Sequence, residues 1–199
     1  MSTGDTDMRL RILYAAKKLF ARQGYDGTSV RQICEEAGAN VALISYYFGG
    51  KENLLRAIFD QFFPGKRMSE FEEELQAPVG GLTLLIREII LFGLEDPELS
   101  KIVKQELELS SPRTAIVLAF IEPVWRKVRE LLEKGRAEGS FQFDSLDHTL
   151  MFVMGAALSF KKLSVHQGLL TEPAHEPRTA ADHIVKLMLT SLRAPGTNA

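Results

Sequence analysis

Apolar residues recur at three- and four-residue spacing through nearly every segment of the chain, and no run alternates with a period of two between turn signals. The pattern predicts an all-α protein of about nine helices. Residues 1–7 read as a polar tail. Residues 8–23 place Ile12, Leu13, Ala16, Leu19 and Phe20 on one face and Arg11, Lys17, Lys18 and Arg22 on the other, with Gly24 as the stop. A second helix, 29–37, is capped by Thr28 or Ser29 and keeps Val30, Ile33, Cys34 and Ala37 in register. The turn 37–40 follows, Asn40 caps a short helix at 41–48, and Gly49-Gly50 ends it. A fourth helix begins near Lys51 and carries Leu54, Leu55, Ile58, Phe59 and Phe62 as far as Pro64-Gly65.

Longer segments come next. Residues 66–76 are polar and read as helical, continuing the fourth helix past a kink at Pro64. Residues 82–94 are strongly apolar, and Asp96-Pro97-Glu98 opens a helix that reaches Leu109. Ser110-Ser111-Pro112 starts a long helix to Glu138, in which Pro123 predicts a kink or a division. Helices at 145–164 and 179–192 close the chain, separated by the Pro-containing loop 171–177. The first of these is apolar on nearly every side, so it needs burial on more than one face, in the core or against a second subunit.

Composition adds little to this except at the N-terminus. The net charge is −2, but residues 1–56 hold eight Lys or Arg against six acids, so the excess there is +2 and the remainder carries −4. So small an excess gives weak sequence-independent attraction to DNA, and tight binding would need specific contacts, doubled by dimerisation. The single cysteine, Cys34, excludes an intramolecular disulfide framework and a cysteine metal cluster. The polar start and the charge-interrupted apolar runs predict a soluble, cytoplasmic protein with no membrane partner.

The chemistry concentrates in TSVRQICEEAGANVALISYYFGGK, residues 28–51. Two short helices about a glycine-containing turn cannot make a core alone, but with helix 8–23 behind them they form a helix-turn-helix unit of roughly 45 residues. Ile44 and Phe48 anchor the short helix, while the small residues Ala42 and Ser45 let its backbone approach base edges. Phe20, Gly24-Tyr25, Thr28-Ser29-Val30-Arg31-Gln32-Ile33, Ala37-Gly38, Ile44-Ser45-Tyr46-Tyr47-Phe48, Lys51-Glu52 and Leu54-Leu55 together resemble the TetR family of bacterial transcriptional regulators over residues 8–60.

That resemblance implies a head at 1–50 and a helical effector-binding and dimerisation domain at 51–199. It implies phosphate contacts from Thr28, Tyr47 and Lys51, leaving base readout to Val41, Ala42, Ser45 and Tyr46. Arg31 is read either as a phosphate contact or as a solvated surface charge. Leu43 stands where the family often has Thr or Ser, and Ser45 where it often has Tyr, so the operator cannot be carried over. An effector pocket would draw on Phe120, Trp125, Met151, Met154 and Phe160, although methionine and aromatic stripes ordinarily make plain core. Met151, Leu158, Ile184, Leu187 and Met188 would form a homodimer interface across the last two helices.

These readings combine into a homodimeric repressor that binds a palindromic double-stranded operator and leaves it when a small, largely apolar effector binds. Two rivals stand beside it. One is a DNA-binding protein of the same fold without a small ligand, controlled by a protein partner or by abundance. The other is a small-molecule binder or enzyme with a vestigial head. No catalytic or cofactor motif is present, and the four histidines, His148, His166, His175 and His183, have no metal-ligand companion at helical spacing apart from the loop pair His166 and His175, so they read as surface or core residues.

Overall fold

The computed structural model describes residues 3–159, 168 and 175–192. Its described residues form helices α1 (Thr3–Gln23), α2 (Val30–Ala37), α3 (Val41–Phe48), α4 (Lys51–Phe62), α5 (Pro78–Glu95), α6 (Pro97–Leu109), α7 (Thr114–Ala137), α8 (Leu146–Ser159) and α9 (Pro177–Leu192). Among the described residues there is no strand, in keeping with the all-α reading.

The chain divides into two compact units. The first holds residues 1–64 and 97–121 and the second residues 65–96 and 122–199, so α4, α6 and the start of α7 belong with the N-terminal helices. A boundary at residue 50 follows the sequence motif. Compactness draws a different line, because apolar faces of α4 and α6 both pack on α1.

In the first unit, α1 is the central element. Its Ile12, Leu13, Ala16, Leu19 and Phe20 are buried with Ile33, Cys34 and Ala37 of α2, Ile44 and Phe48 of α3, and Leu54, Leu55, Ile58 and Phe59 of α4. Leu99 and Ile102 of α6 and Ile116 and Val117 of α7 are buried in the same unit. Each side chain of this size contributes about 1.5–3 kcal/mol when fully buried. Burial pushes the Cys34 thiol above its ordinary range, which leaves it a weak nucleophile.

The second unit buries Leu82, Leu85, Ile86, Ile90 and Leu91 of α5 against Val128, Leu131 and Leu132 of α7, Val153, Met154 and Ala157 of α8, and Ala181, Val185, Met188 and Leu192 of α9. Arg87 of α5 and Asp182 of α9 add an exposed ion pair at 2.7 Å.

Several boundaries differ from the sequence reading. Helix α1 starts at Thr3, so the expected polar tail is helical from that residue, and Asp5 lies in the first turn, where a carboxylate complements the helix dipole. Helix α4 ends at Phe62 because Phe63 is forced to an extended conformation (φ −77°, ψ 124°) by Pro64. Beyond it the chain forms 3-10 turns at Pro64–Phe71 and Glu74–Gln76 rather than a continued α-helix. Helix α7 runs through Pro123 without dividing, whereas α9 starts two residues before the expected Thr179, at Pro177, a residue suited to a first turn.

Candidate nucleic-acid interface

The two helices of the head are fixed by local chemistry. Ser29 and Gln32 form a reciprocal capping box: the Gln32 amide donates to Ser29 Oγ at 3.2 Å and the Ser29 amide donates to Gln32 Oε1 at 2.8 Å. Gly38 ends α2 in the left-handed conformation (φ 64°), and its amide donates back to the carbonyls of Cys34 and Glu35. A Cβ at Gly38 would meet only the mobile end of Arg11, at 2.8 Å from Nη2, so it is the left-handed backbone that calls for glycine. Asn40 Oδ1 then accepts from the Leu43 amide at 3.1 Å and starts α3 in a new direction.

Helix α3 is thereby set with one face down and one face out. Ile44 and Phe48 are buried, whereas Val41, Ala42, Ser45 and Tyr46 are all exposed, Tyr46 at 75%. The four residues predicted to read bases therefore share the solvent face of one short helix. Three are apolar or aromatic, suited to thymine methyl groups, and Ser45 is the small polar member.

The three predicted phosphate contacts are placed differently from one another. Thr28 is 1% exposed, and its hydroxyl donates to the Gly24 carbonyl at 2.7 Å, so it is turned inward and braces the α1–α2 turn. Tyr47 is half-buried and donates its phenolic hydrogen bond to the Asp5 carboxylate. That bond, more than desolvation, pushes the Tyr47 phenol up to about 12. The Lys51 ammonium donates to the Tyr25 carbonyl at 2.6 Å and lies 4.0 Å from the Tyr25 ring centroid. Burial holds its pKa below the ordinary lysine range.

Neighbouring groups complete this surface. Arg9 lies 5.4 Å from the ring centroid of Phe48, Arg31 is exposed on α2, and Lys18 pairs with Glu36 at 2.6 Å. Asp5 and Arg113 had no place in the sequence reading. Asp5 reaches the site through Tyr47, 42 positions away, and Arg113 through Asp26, 87 positions away, so no local spacing could reveal either.

The pocket and interface residues separate. Phe120 belongs to the first unit, where its ring stacks on Phe59 at 5.3 Å and meets Phe63 edge-on at 6.2 Å. Trp125 is half-buried and Met154 buried in the core of the second unit, whereas Met151 is 61% exposed. Phe160 lies outside the described residues. Of the predicted dimer residues, Met151, Leu158 and Leu187 are exposed, Ile184 packs partly buried on the second core, and Met188 is buried within that core. Met188 is thus part of the single chain's own core, not of an outward face. Phe152, 52% exposed beside Met151, is an outward apolar residue that helical spacing did not single out. Among the described residues no group of three or more His, Cys, Asp or Glu is arranged to hold a metal ion, and no helix is long and apolar enough to cross a membrane.

Comparison with known proteins agrees with this geometry. Residues 12–58 match the family described as "Bacterial regulatory proteins, tetR family". The chain is 28% identical over 207 residues to the HTH-type transcriptional repressor AcnR of Corynebacterium efficiens, covering 98% of each protein. It is 32% identical over 105 residues to the "Probable HTH-type transcriptional regulator YttP" of Bacillus subtilis, a match that spans 51% of each and so about half of that relative's length. Among solved structures, HlyIIR, a hemolysin II transcriptional regulator, superposes with a TM-score of 0.77 at 28% identity, covering 96% of this chain and 99% of that one. A capped helix-turn-helix with an outward α3, the family match over that same segment and the full-length likeness to HTH-type regulators identify residues 12–58 as a helix-turn-helix domain of the tetR family in a chain built like HTH-type transcriptional regulators.

Proposed function

We propose that this protein is a homodimeric repressor that reads a palindromic operator with the outward face of α3 and leaves it when a small, largely apolar effector binds. The observation that carries the reading is the exposure of Val41, Ala42, Ser45 and Tyr46 together on a helix anchored from beneath by Ile44 and Phe48. Tyr47 and Lys51 flank that face as phosphate contacts, with Thr28 bracing the turn behind them. The repressor sign is supported by the name of the AcnR relative. Dimerisation is supported by the exposed apolar residues of α8 and α9, which single-chain packing leaves uncovered. The effector rests on the family resemblance alone, and a coupling of about 1–3 kcal/mol would be sufficient for the switch.

Selection of bound fragments from random DNA tests this directly. The expected product is a palindrome whose half-sites lie about one helical turn, roughly 34 Å, apart. Recovery of no preferred sequence would remove the DNA-reading function. With the operator in hand, titration of small apolar compounds into the complex tests the switch, and failure of every compound to release DNA would remove the effector.

A further inference from the structure

Around Tyr25, in the turn between α1 and α2, the first unit gathers four charges. Lys51 Nζ lies 4.0 Å from the ring centroid and Arg113 Cζ 4.2 Å from the same centroid. Arg113 is almost wholly enclosed. It pairs with Glu106 at 3.1 Å through Nε and with Asp26, the neighbour of Tyr25, at 2.8 Å through Nη2. Glu106 is 2% exposed, a buried carboxylate that no hydrophobic core requires.

The α6–α7 turn is built around that carboxylate. Ser111 Oγ donates to Glu106 Oε2 at 2.9 Å, Thr114 Oγ1 donates to the Glu106 carbonyl at 2.9 Å, and the Arg113 amide donates to Ser111 Oγ at 3.2 Å. Ser110 enters the turn with φ 48°, a left-handed conformation that costs a non-glycine residue about 1–2 kcal/mol. A strained turn, an enclosed cation and a buried anion are thus held together at the base of the DNA-reading head.

Electrostatics gives the arrangement a purpose. Two carboxylates, Asp26 and Glu106, attract the Lys51 ammonium, and Arg113 opposes them. With Arg113 in place the two acids share a cation other than Lys51 and their net charge falls from −2 to −1, so less of the lysine charge is spent on them. Without it, two uncompensated negative charges would stand beside the one lysine expected to meet a phosphate.

We infer that Arg113 is a positioning residue for DNA binding: it pairs with Asp26 and Glu106, offsetting half of their charge, and packs on Tyr25, so that Lys51 offers its charge to the phosphate backbone. The inference rests on the reading of Lys51 as a phosphate contact. It makes the α6–α7 turn, about 60 residues beyond Lys51 in sequence, part of the DNA-binding machinery.

The test is a double-mutant cycle on the full chain with the selected operator. Arg113→Met should weaken binding about tenfold and lower the slope of log affinity against log salt by about 0.9, the share of one phosphate contact. In a Lys51→Ala background the same substitution should cost nothing further, because the contact it serves is already gone. Arg113→Lys, which keeps the charge, should recover part of the loss. If Arg113→Met unfolds the chain by stranding Glu106, as thermal unfolding would show, Arg113→Met with Glu106→Gln carries the cycle without a stranded buried charge; only Asp26 is then left uncompensated, so the loss should be smaller but still absent in the Lys51→Ala background. Equal losses in both backgrounds, or an unchanged salt slope, overturn the inference while the functional reading stands. An operator complex indifferent to Lys51→Ala defeats the reading of Lys51, and the inference falls with it.

Discussion

Tyr47, at the foot of the reading helix, donates its phenolic hydrogen bond to the carboxylate of Asp5, 42 residues earlier in the chain. The contact ties the first turn of α1 to α3, and it occupies the hydroxyl expected to meet a DNA phosphate. An acid in that position competes with phosphate for the donor and repels it by charge.

Replacing Asp5 should therefore change two measurements in known directions. The Tyr47 phenol, pushed to about 12 mainly by this bond, should fall back toward the ordinary 10.0 in Asp5→Ala, as read by tyrosinate titration. Because the folded value lies above the unfolded one, the bond's contribution to stability is complete below pH 10 and disappears as pH rises through about 12. Operator binding by Asp5→Ala should tighten by up to about tenfold, the scale of one charge contact. A titration unmoved by the substitution would mean that the bond is not made in solution.

Tyr46 separates reading from folding. Its side chain is mostly exposed, so Tyr46→Ala should alter unfolding free energy by no more than about 0.5 kcal/mol. Its operator affinity should nevertheless fall by about 1–3 kcal/mol, with preference relaxed at the base pairs it meets. Equal loss on every sequence would reassign Tyr46 to backbone contact, and no loss would remove it from the interface.

These two tyrosines show which parts of the site local sequence could reveal. Ser29 with Gln32, Gly38 and Asn40 specify the two short helices and their turn through contacts spanning four residues or fewer, so the reading face of α3 was legible residue by residue. Asp5 and Arg113 act through partners 42 and 87 positions distant, and their local surroundings look like ordinary surface sequence. For the same reason residues 3–7 read as a tail: their tertiary partner, Tyr47, lies beyond any local window. Met188 was misplaced because helical periodicity marks an apolar stripe without telling whether the chain's own α5 or a second subunit covers it.

Gly135 is a packing requirement that its position in α7 conceals. Alanine would normally favour a helix over glycine by about 1 kcal/mol. Here, a Cβ would lie 2.1 Å from Cδ2 and 2.4 Å from Cε2 of the buried Phe141 ring. Gly135→Ala should thus destabilise the fold by about 1–3 kcal/mol in denaturant unfolding, the usual cost of overpacking. Gly135→Ala combined with Phe141→Leu should recover part of that loss if the ring is the obstacle, and no recovery would place the strain elsewhere.

The outward apolar face of α8 and α9 makes the last prediction. Met151 and Leu158 are seven residues apart on α8, with Gly155 between them on the same face, and a Cβ at Gly155 would meet nothing within 4 Å. That gap would let a partner backbone approach closely, and Leu187 of α9, 67% exposed, adds a further apolar side chain. Carboxylates buried at the centre of such an interface would be unpaired, whereas on a free monomer they would simply be solvated. Met151→Glu with Leu187→Glu should therefore keep its helical circular dichroism yet sediment as a monomer. It should bind a palindromic operator about 10²–10⁴-fold more weakly, because the second head no longer arrives with the first. A folded variant that remains dimeric at micromolar concentration would move the interface away from α8 and α9.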